Sequence, residues 1–287
     1  MARKRNSERL TAPTPQDTSP PPTVGRPASS HEMFSFVTPT DFVDLPSKGL
    51  FYADDHPLGG VDTLEIRHMT AKEEDILTSE SLLKKGLAID RLLESIILDK
   101  SISADSLLIG DKNALLIAAR ITGYGPIYDT TVKCPACQEV NDKVFNLEDV
   151  GSNDTTQLPE NTKMTGDGNF LFALPKSGVM LEVRLLTSKD ERLLAETIEK
   201  KKRLKLPDSR STDLLKLVVV AVNDHTDREN VDSFVEQMPL QDVKHLRKVY
   251  EQIKPDVDIT YDFTCNHCSH DGEVLMPLTA QFFWPNT

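Results

Sequence analysis

The sequence lacks a long apolar run, and its cations are scarce relative to its carboxylates. Its longest apolar stretches, such as Leu214–Val222 with Lys216 inside it, fall far short of the roughly 20 residues that a membrane span needs. The basic start is followed by Pro, Ser and Thr rather than by the apolar core of a secretory signal. With 33 Lys and Arg against 45 Asp and Glu, the net charge is −12, which disfavours general nucleic-acid binding. We therefore expect a soluble, cytosolic protein.

The sequence also lacks the motifs of the common enzyme classes. It has no Ser-His-Asp arrangement, no His-Glu-x-x-His and no dinucleotide fingerprint. The stretch Gly110–Asn113 lacks the spacing of a phosphate-binding loop, so Asp111 is interpreted as a helix cap. The acidic run Glu73–Asp75 falls in a first helical turn, where the helix dipole favours carboxylates. The sequence predicts a protein that is not an enzyme.

Composition divides the chain into an arm, a linker and two ordered segments. Residues 1–33 hold six prolines and almost no large apolar side chains, which is typical of a disordered arm. Residues 151–169 are rich in Asn, Thr, Asp and Gly and predict a polar linker. The first segment is then residues 34–150 and the second segment residues 170–287. The basic tip Arg3-Lys4-Arg5 is interpreted as a solvated end, with a nucleic-acid or localisation signal as the alternative.

The two ordered segments resemble each other. Leu64–Leu77 aligns with Leu181–Leu194, and seven of the fourteen pairs are identical. Each copy has an upstream Leu-Pro-x-x-Gly turn, at Leu45–Gly49 and at Leu174–Gly178, and a downstream Cys-x-x-Cys. Three landmarks in the same order indicate an internal duplication.

The repeated unit has a readable order of elements. Alternating apolar residues predict strands at Val61–Arg67 and Val179–Leu185. Thr70 and Thr187 each stand three residues before an acid, a capping-box spacing that predicts a helix directly after each strand. The predicted fold class is α+β, with two duplicated strand-helix-helix-strand units. The further predicted elements are helices at Gly86–Leu98, Asp111–Ile121, Thr212–Val222 and Leu240–Ile253, and strands at Ile127–Lys133 and Val257–Thr264.

All the cysteines fall into two Cys-x-x-Cys pairs, Cys134 with Cys137 and Cys265 with Cys268. Such turns at the tips of β-hairpins are the halves of a four-cysteine zinc ribbon. Although 127 residues separate the pairs, two duplicated hairpins can share one ion. The sequence therefore predicts one structural Zn²⁺ per chain, which holds the two units in a fixed orientation. The flanking strand-like runs are Ile127–Lys133, Val140–Leu147, Val257–Thr264 and Val274–Leu278.

Other roles for these cysteines stay open at this point. A redox or disulfide role and free buried thiols are the alternatives, and a cytosolic setting disfavours persistent disulfides. His267 or His270 is able to replace a cysteine as ligand. A catalytic zinc would need an open coordination position, which four thiolates do not leave. Common zinc knuckles have Gly after the second cysteine, whereas Gln138 and Ser269 stand there in this chain.

Two further stretches are ambiguous. Lys200–Lys205 is the only dense basic run and follows a helical stretch at Ser188–Glu199, so cations at a helix C-terminus explain it. Nucleic-acid contact is the alternative. Phe282–Pro285 concentrates aromatic surface near the end of the sequence, either as a core plug or as an anchor for a partner. We favour the plug, because segments with this much apolar area are usually docked.

Several motifs follow one another in a recognisable order: Leu45–Tyr52, Met69–Leu77, Leu108–Leu116, Arg120–Gly125 and Cys134–Cys137. This order resembles that of a phage tail family, the baseplate hub assembly proteins of T-even-type contractile-tailed phages. The resemblance is strong over about residues 42–150. It is looser for the second cysteine pair and the Phe-Phe-Trp-Pro stretch.

The resemblance implies a non-enzymatic protein of baseplate morphogenesis that scaffolds or chaperones assembly of the central hub. Its partners would be other baseplate and hub proteins of the tail, and its setting the host cytoplasm during assembly. Whether it stays in the virion, and its homo-oligomeric state, are open. The alternative is a nucleic-acid-binding zinc-ribbon protein that uses the basic arm and Lys200–Lys205. A zinc enzyme is the third reading.

Overall fold

Helices and small antiparallel sheets make up the fold, so the predicted α+β class is confirmed. The computed structural model describes residues 38–153, 158–278 and 280–283, all within one compact unit. The predicted disordered arm with its basic tip, and Trp284 and Pro285, lie outside the described residues. No helix in the described ranges is long and apolar enough to cross a membrane.

The helices are α1 (Ala71–Thr78), α2 (Glu80–Lys85), α3 (Ala88–Ile96), α4 (Ile109–Tyr124), α5 (Ser188–Arg203), α6 (Arg210–Val218), α7 (Arg228–Gln237) and α8 (Leu240–Ile253). The strands are β1 (Thr40–Asp44), β2 (Thr63–Arg67), β3 (Ile127–Lys133), β4 (Val140–Asn146), β5 (Gly151–Ser152), β6 (Lys163–Met164), β7 (Phe170–Ala173), β8 (Met180–Val183), β9 (Val219–Val222), β10 (Val257–Asp258), β11 (Thr260–Thr264) and β12 (Asp271–Leu275). Short 3-10 turns lie at Ala104–Ser106, Leu147–Asp149 and Ala280–Phe283.

Each segment starts with a paired strand that leads into a capped helix. Strand β1 pairs with β2 so that Val43 lies opposite Leu64, and β7 pairs with β8 so that Phe172 lies opposite Leu181. A capping box then starts α1, where Glu73 accepts a hydrogen bond from the Thr70 amide at 2.9 Å. Thr187 and Asp190 form the same box at the start of α5, also at 2.9 Å. The helix starts predicted after both threonines are confirmed.

An arginine at the end of β2 and another just after β8 hold the capping carboxylates from the other side. Arg67 donates to both Glu73 oxygens, at 2.5 and 3.2 Å. Arg184 donates to both Asp190 oxygens, at 2.6 and 2.7 Å. Ser95 adds a donor to Glu73 at 2.6 Å. Each strand is therefore tied to the helix that follows it by a charge-assisted hydrogen-bond network.

A buried carboxylate in the first turn of one helix in each segment also follows one pattern. Asp111 and Asp242 are the third residues of α4 and α8, and both are fully buried. Asp111 accepts from the Ser47 amide at 3.0 Å, and Asp242 accepts from the Lys176 amide at 2.7 Å. Both amides belong to the Leu-Pro-x-x-Gly turns, so these buried carboxylates fix the turns onto the helices.

The sequence prediction for Asp111 was wrong in its detail. The residue at the N-cap position of α4 is Leu108, and Asp111 lies one turn inside the helix. Its carboxylate accepts from the hydroxyls of Ser47 at 2.6 Å and of Tyr52 at 2.7 Å. Burial raises the pKa of Asp111, and these donors oppose that shift. The residue joins distant parts of the chain instead of capping its own helix.

Other predicted boundaries also need correction. The helix predicted at Thr212–Val222 ends at Val218, and Val219–Val222 form β9 because this valine-rich run pairs with β8. The strand predicted at Val257–Thr264 divides into β10 and β11. The strand predicted at Val274–Leu278 begins and ends three residues earlier, at Asp271 and Leu275. Within the predicted linker, β5 pairs with β10 and β6 pairs with β7.

The first and second segments share one hydrophobic core, which contains Leu115 and Leu246 among many others. Backbone hydrogen bonds cross between them: Ser188 N–H donates to the Leu107 carbonyl at 2.8 Å, and Ile109 N–H donates to the Leu186 carbonyl at 3.2 Å. Arg192 binds Asp90 at 2.6 Å across the same junction. The connection between the segments is thus more extensive than a single metal site.

Gly110 marks a close approach between the segments and gives a first prediction. A Cβ there would overlap the backbone carbonyl of Pro255, whereas a Cβ at Gly123 in the same helix would meet only the flexible end of Met69. We expect Gly110→Ala to lower the free energy of unfolding by about 2 kcal/mol, because the backbone of the second segment must shift. Gly123→Ala is the matched control, and we expect it to stay within about 1 kcal/mol of the unsubstituted chain. Urea unfolding measures both, and equal effects would contradict the close approach.

Candidate metal centre

Two β-hairpins with the same register present the cysteines. In the β3–β4 hairpin the last paired residues before the turn are Lys133 and Val140, and in the β11–β12 hairpin they are Thr264 and Asp271. Each hairpin therefore leaves a six-residue tip that begins with a cysteine. The predicted location of both Cys-x-x-Cys turns at hairpin tips is confirmed.

The backbone of the two tips is alike. The amide of the first cysteine donates across the tip at 2.9 Å in both hairpins, Cys134 to Glu139 and Cys265 to His270. The residue after the second cysteine lies in the left-handed region, with φ of 63° at Gln138 and 55° at Ser269. Glycine adopts this conformation without steric cost, which is why it is common there. The tips keep the knuckle geometry although neither has the glycine.

This strain yields a second prediction. Ser269 is exposed, so Ser269→Gly removes the steric cost of its Cβ and little else. We expect a gain of about 1 kcal/mol in the free energy of unfolding of the metal-loaded chain. Ser269→Ala keeps the Cβ and is the control, for which we expect no gain. Thermal unfolding monitored by calorimetry distinguishes the two, and an equal gain from alanine would refute the strain.

The four sulfur atoms lie within 4.8 Å of one another. The closest distances cross between the hairpins, at 3.7 Å for Cys134 Sγ to Cys268 Sγ and 3.7 Å for Cys137 Sγ to Cys265 Sγ. Four sulfurs at about 2.3 Å from one ion in a tetrahedron stand about 3.8 Å apart. A disulfide would need about 2.05 Å, and all four cysteines are free. The cluster fits a tetrahedral soft cation.

Hydrogen bonds favour a thiolate at Cys265. Burial alone raises its pKa, but backbone amides of the tip, including that of His267 at 3.4 Å, and neighbouring sulfurs lower the pKa to about 6. At Cys137 the Glu139 amide lowers the pKa, while burial and the sulfurs of the other cysteines outweigh it and raise the pKa to about 12. Thiols this close do not all ionise by themselves, whereas a bound cation neutralises their mutual repulsion.

Asn141 supports the cluster, although no motif in the sequence singles it out. Its side chain is buried, and Nδ2 lies 3.6 Å from Cys265 Sγ. Its Oδ1 accepts from the Asn266 amide at 2.8 Å. Asn141 thus links the first hairpin to the tip of the second. A small apolar layer of Phe263 and Val274 packs beneath the cysteines.

The histidines beside the second pair are not part of this group. Among the described residues, the candidate ligand atoms that come together are the four sulfurs alone. His267 is exposed and contributes its backbone amide to Cys265, while the His270 carbonyl accepts from the Cys265 amide. Their structural contribution to the tip is through the backbone.

The basic run ends α5 and is partly neutralised within the protein. Lys201 binds Asp213 at 2.7 Å and also contacts Ser209. Lys202 lies 3.9 Å from Glu199. Cations in the last turn of a helix are favoured by its dipole, as the sequence indicated. Nucleic-acid binding is not favoured by this arrangement.

The aromatic stretch after Leu278 is docked as predicted, so far as it is described. Phe282 and Phe283 are fully buried, and the Phe282 ring meets Tyr128 edge-on at 4.9 Å. Arg120, itself buried, donates from Nε to the Phe282 carbonyl at 2.9 Å. Burial lowers the pKa of Arg120. The plug interpretation is confirmed for Phe282 and Phe283.

The fold and the sulfur cluster define an α+β protein with two hairpins that are suited to share one tetrahedral ion. The chain belongs to the family described as T4 bacteriophage base plate protein, whose model matches residues 40–284. Nothing among the curated proteins or the solved structures matches the chain. Membership associates it with the baseplate of a phage tail, whose proteins are generally structural, and suggests contacts with other tail proteins.

Proposed function

We propose that this protein is a non-enzymatic scaffold or chaperone that assembles the central hub of a contractile-tail baseplate. The observation that carries the proposal is the family match over residues 40–284. The motif order in the first segment, from Leu45–Tyr52 to Cys134–Cys137, supports the hub within that family. The protein acts in the host cytoplasm while the hub is built, through contacts with other hub and baseplate proteins.

The proposed cofactor is one structural Zn²⁺ per chain, held by Cys134, Cys137, Cys265 and Cys268. Its support is the set of sulfur distances and the donor chemistry, since four cysteine thiolates at tetrahedral spacing are a common ligand set of structural zinc. With all four positions filled by protein, the ion supplies a rigid cross-link between two hairpins and leaves no coordination site for a substrate. The role is therefore mechanical.

The proposed origin of the fold is an internal duplication of residues 34–150 and 170–287, with residues 151–169 between them. Its support lies in contacts that recur at aligned positions, beyond the matched sequence. The Arg67–Glu73 pair corresponds to Arg184–Asp190, and the turn contact of Asp111 corresponds to that of Asp242. The antiparallel β-bridge between Ile66 and Ile97 also recurs in the second segment, where the aligned Val183 pairs with Val219.

Affinity purification tests the assembly role. The tagged full chain is recovered from phage-producing cells, treated with nuclease, and its partners are identified by mass spectrometry. We expect hub and baseplate proteins of the tail to remain bound after the nuclease. Absence of tail proteins from the eluate, with nucleic acid as the only partner and one that the nuclease removes, would contradict the proposal and favour the nucleic-acid-binding alternative. A chain carrying Cys265→Ser, purified in parallel, measures how far these contacts depend on the metal centre.

A further inference from the structure

An open groove with a volume of about 840 Å³ runs between α2, α4 and α5. Its walls come from both segments, and its floor is apolar. Leu116 from α4 lies at the floor and is buried, while Ile89, Ile259 and Leu278 are half-buried around it. Amphipathic helices of partner proteins commonly bind with their apolar face in a concave strip of aliphatic side chains of this kind.

The acids and bases low in the groove neutralise each other within the protein. Lys112 pairs with Glu191, and Arg192 pairs with Asp90. These four side chains therefore add little net charge to the groove. The net charge that a bound partner experiences in the groove therefore comes mainly from the side chains of the rim.

The rim carries an excess of positive charge in a chain whose net charge is −12. Lys85 ends α2, and Lys200 and Arg203 lie in the last turn of α5. None of these three side chains has an ion-pair partner within 4.0 Å in the described part of the chain. Among the described carboxylates of the rim, Glu196 alone also lacks such a partner. Two other rim charges are paired, Lys84 with Glu80 at 3.0 Å and Glu199 with Lys202 at 3.9 Å.

We propose that this groove binds an amphipathic helix of another protein, with an aliphatic face toward the floor and acidic residues toward the rim. The apolar floor and the cationic rim are complementary to those two faces. Single-stranded nucleic acid fits poorly, because none of the described residues that line the groove is an aromatic on which bases stack, and Glu196 and Glu199 face the same space. A flat membrane surface does not enter a concave groove.

This inference rests on the proposed function, since it gives the assembly contacts one defined surface. It also separates the members of the basic run. Lys200 and Arg203 line the groove, whereas Lys202 and Lys205 do not. Two double substitutions with the same change in charge, K200E/R203E and K202E/K205E, therefore test position rather than charge alone.

The experiment places a photo-crosslinking residue in the groove of the full chain, as Leu83→p-benzoylphenylalanine. Leu83 lines the groove and is 37% exposed, so the substitution disturbs little packing. The variant is irradiated in phage-producing cells, and the crosslinked peptide is sequenced by mass spectrometry. The same residue at Leu204, which is 70% exposed and outside the groove, is the control.

We expect crosslinks from position 83 to a segment of another protein that has aliphatic residues at helical spacing and more acids than bases. K200E/R203E should lower their yield at least tenfold, while K202E/K205E should leave it unchanged. Crosslinks to this chain itself, to nucleic acid or to lipid would overturn the inference. So would the absence of a crosslink, or an equal loss with both double substitutions.

The outcome for the proposed function is separate. If tail proteins copurify with the K200E/R203E chain as well as with the unsubstituted chain, and position 83 gives no crosslink, the groove is not their binding surface and the assembly role stands. If no tail protein copurifies with the unsubstituted chain, the assembly role itself fails. Unchanged melting temperatures of both double variants confirm that each is folded.

Discussion

Removal of the proposed zinc ion is expected to lower the melting temperature by more than about 20 °C. Structural zinc sites have an apparent binding free energy of roughly 10 kcal/mol at neutral pH, and each kcal/mol corresponds to about 2–4 °C in a domain of this size. Much of that energy is stability, because the sulfurs of Cys134 and Cys265 meet only when both hairpins are folded against each other. Calorimetry with and without a strong chelator measures the shift, and elemental analysis measures zinc per chain.

The matched substitutions are Cys265→Ser and His267→Ala. Serine removes one thiolate of the cluster, and we expect loss of bound zinc together with the thermal shift. His267 lies outside the group of ligand atoms, so its removal should leave both zinc content and melting temperature unchanged. A chain that holds no metal and melts at the same temperature in chelator would refute the structural ion. A disulfide between the pairs, detected by mass under non-reducing conditions, would point to the redox alternative.

Loss of either capping carboxylate is the second large effect. Glu73→Gln leaves Arg67 half-buried without its counter-ion, and glutamine offers one acceptor oxygen where the carboxylate offers two to Arg67, Ser95 and Thr70. We therefore expect a cost of about 3 kcal/mol. Asp190→Asn removes the negative charge that pairs with Arg184 at the aligned position, and we expect a similar cost. Denaturant unfolding of the two variants gives the comparison. A cost at one site only would show that the aligned positions are not energetically equivalent.

The same carboxylate gives a pH dependence with a definite sign. Burial by itself raises the pKa of Glu73, but hydrogen bonds from Arg67, Ser95 and Thr70 outweigh it and lower the pKa to about 2, from an ordinary value near 4.5. Its contribution to stability is therefore complete above about pH 4.5 and is lost as the pH falls toward 2. The unsubstituted chain should lose stability more steeply across that window than Glu73→Gln. Glu74→Gln, an exposed neighbour in the same turn, is the control and should follow the unsubstituted chain.

Features with local causes were predictable from the sequence. The capping boxes at Thr70 and Thr187 depend on residues three positions apart, and each metal-binding turn depends on a two-residue spacer between its cysteines. The run Val219–Val222 was harder to predict, because its valines suit either a buried helix end or a strand. Pairing with β8, more than thirty residues earlier in the chain, decides in favour of the strand.

Features that join distant residues were not predictable. The local sequence predicts Asp111 as a helix cap, yet its hydrogen-bond partners Ser47 and Tyr52 lie about sixty residues earlier in the chain. Asn141 gave no signal at all, since its contacts with Cys265 exist only after both segments have folded. The groove likewise needs helices from both segments. No single stretch of sequence contains the information for such sites.

The two halves of the sulfur cluster leave the ribosome at different times, because 127 residues separate Cys137 from Cys265. At about 5–20 residues per second, translation of that interval takes on the order of 10 s. Until it ends, the nascent chain has a two-thiol half-site, and a chain broken off before Cys265 never acquires the other half. The content of the proposed zinc in a population of these chains would therefore report the molecules whose synthesis had passed Cys268.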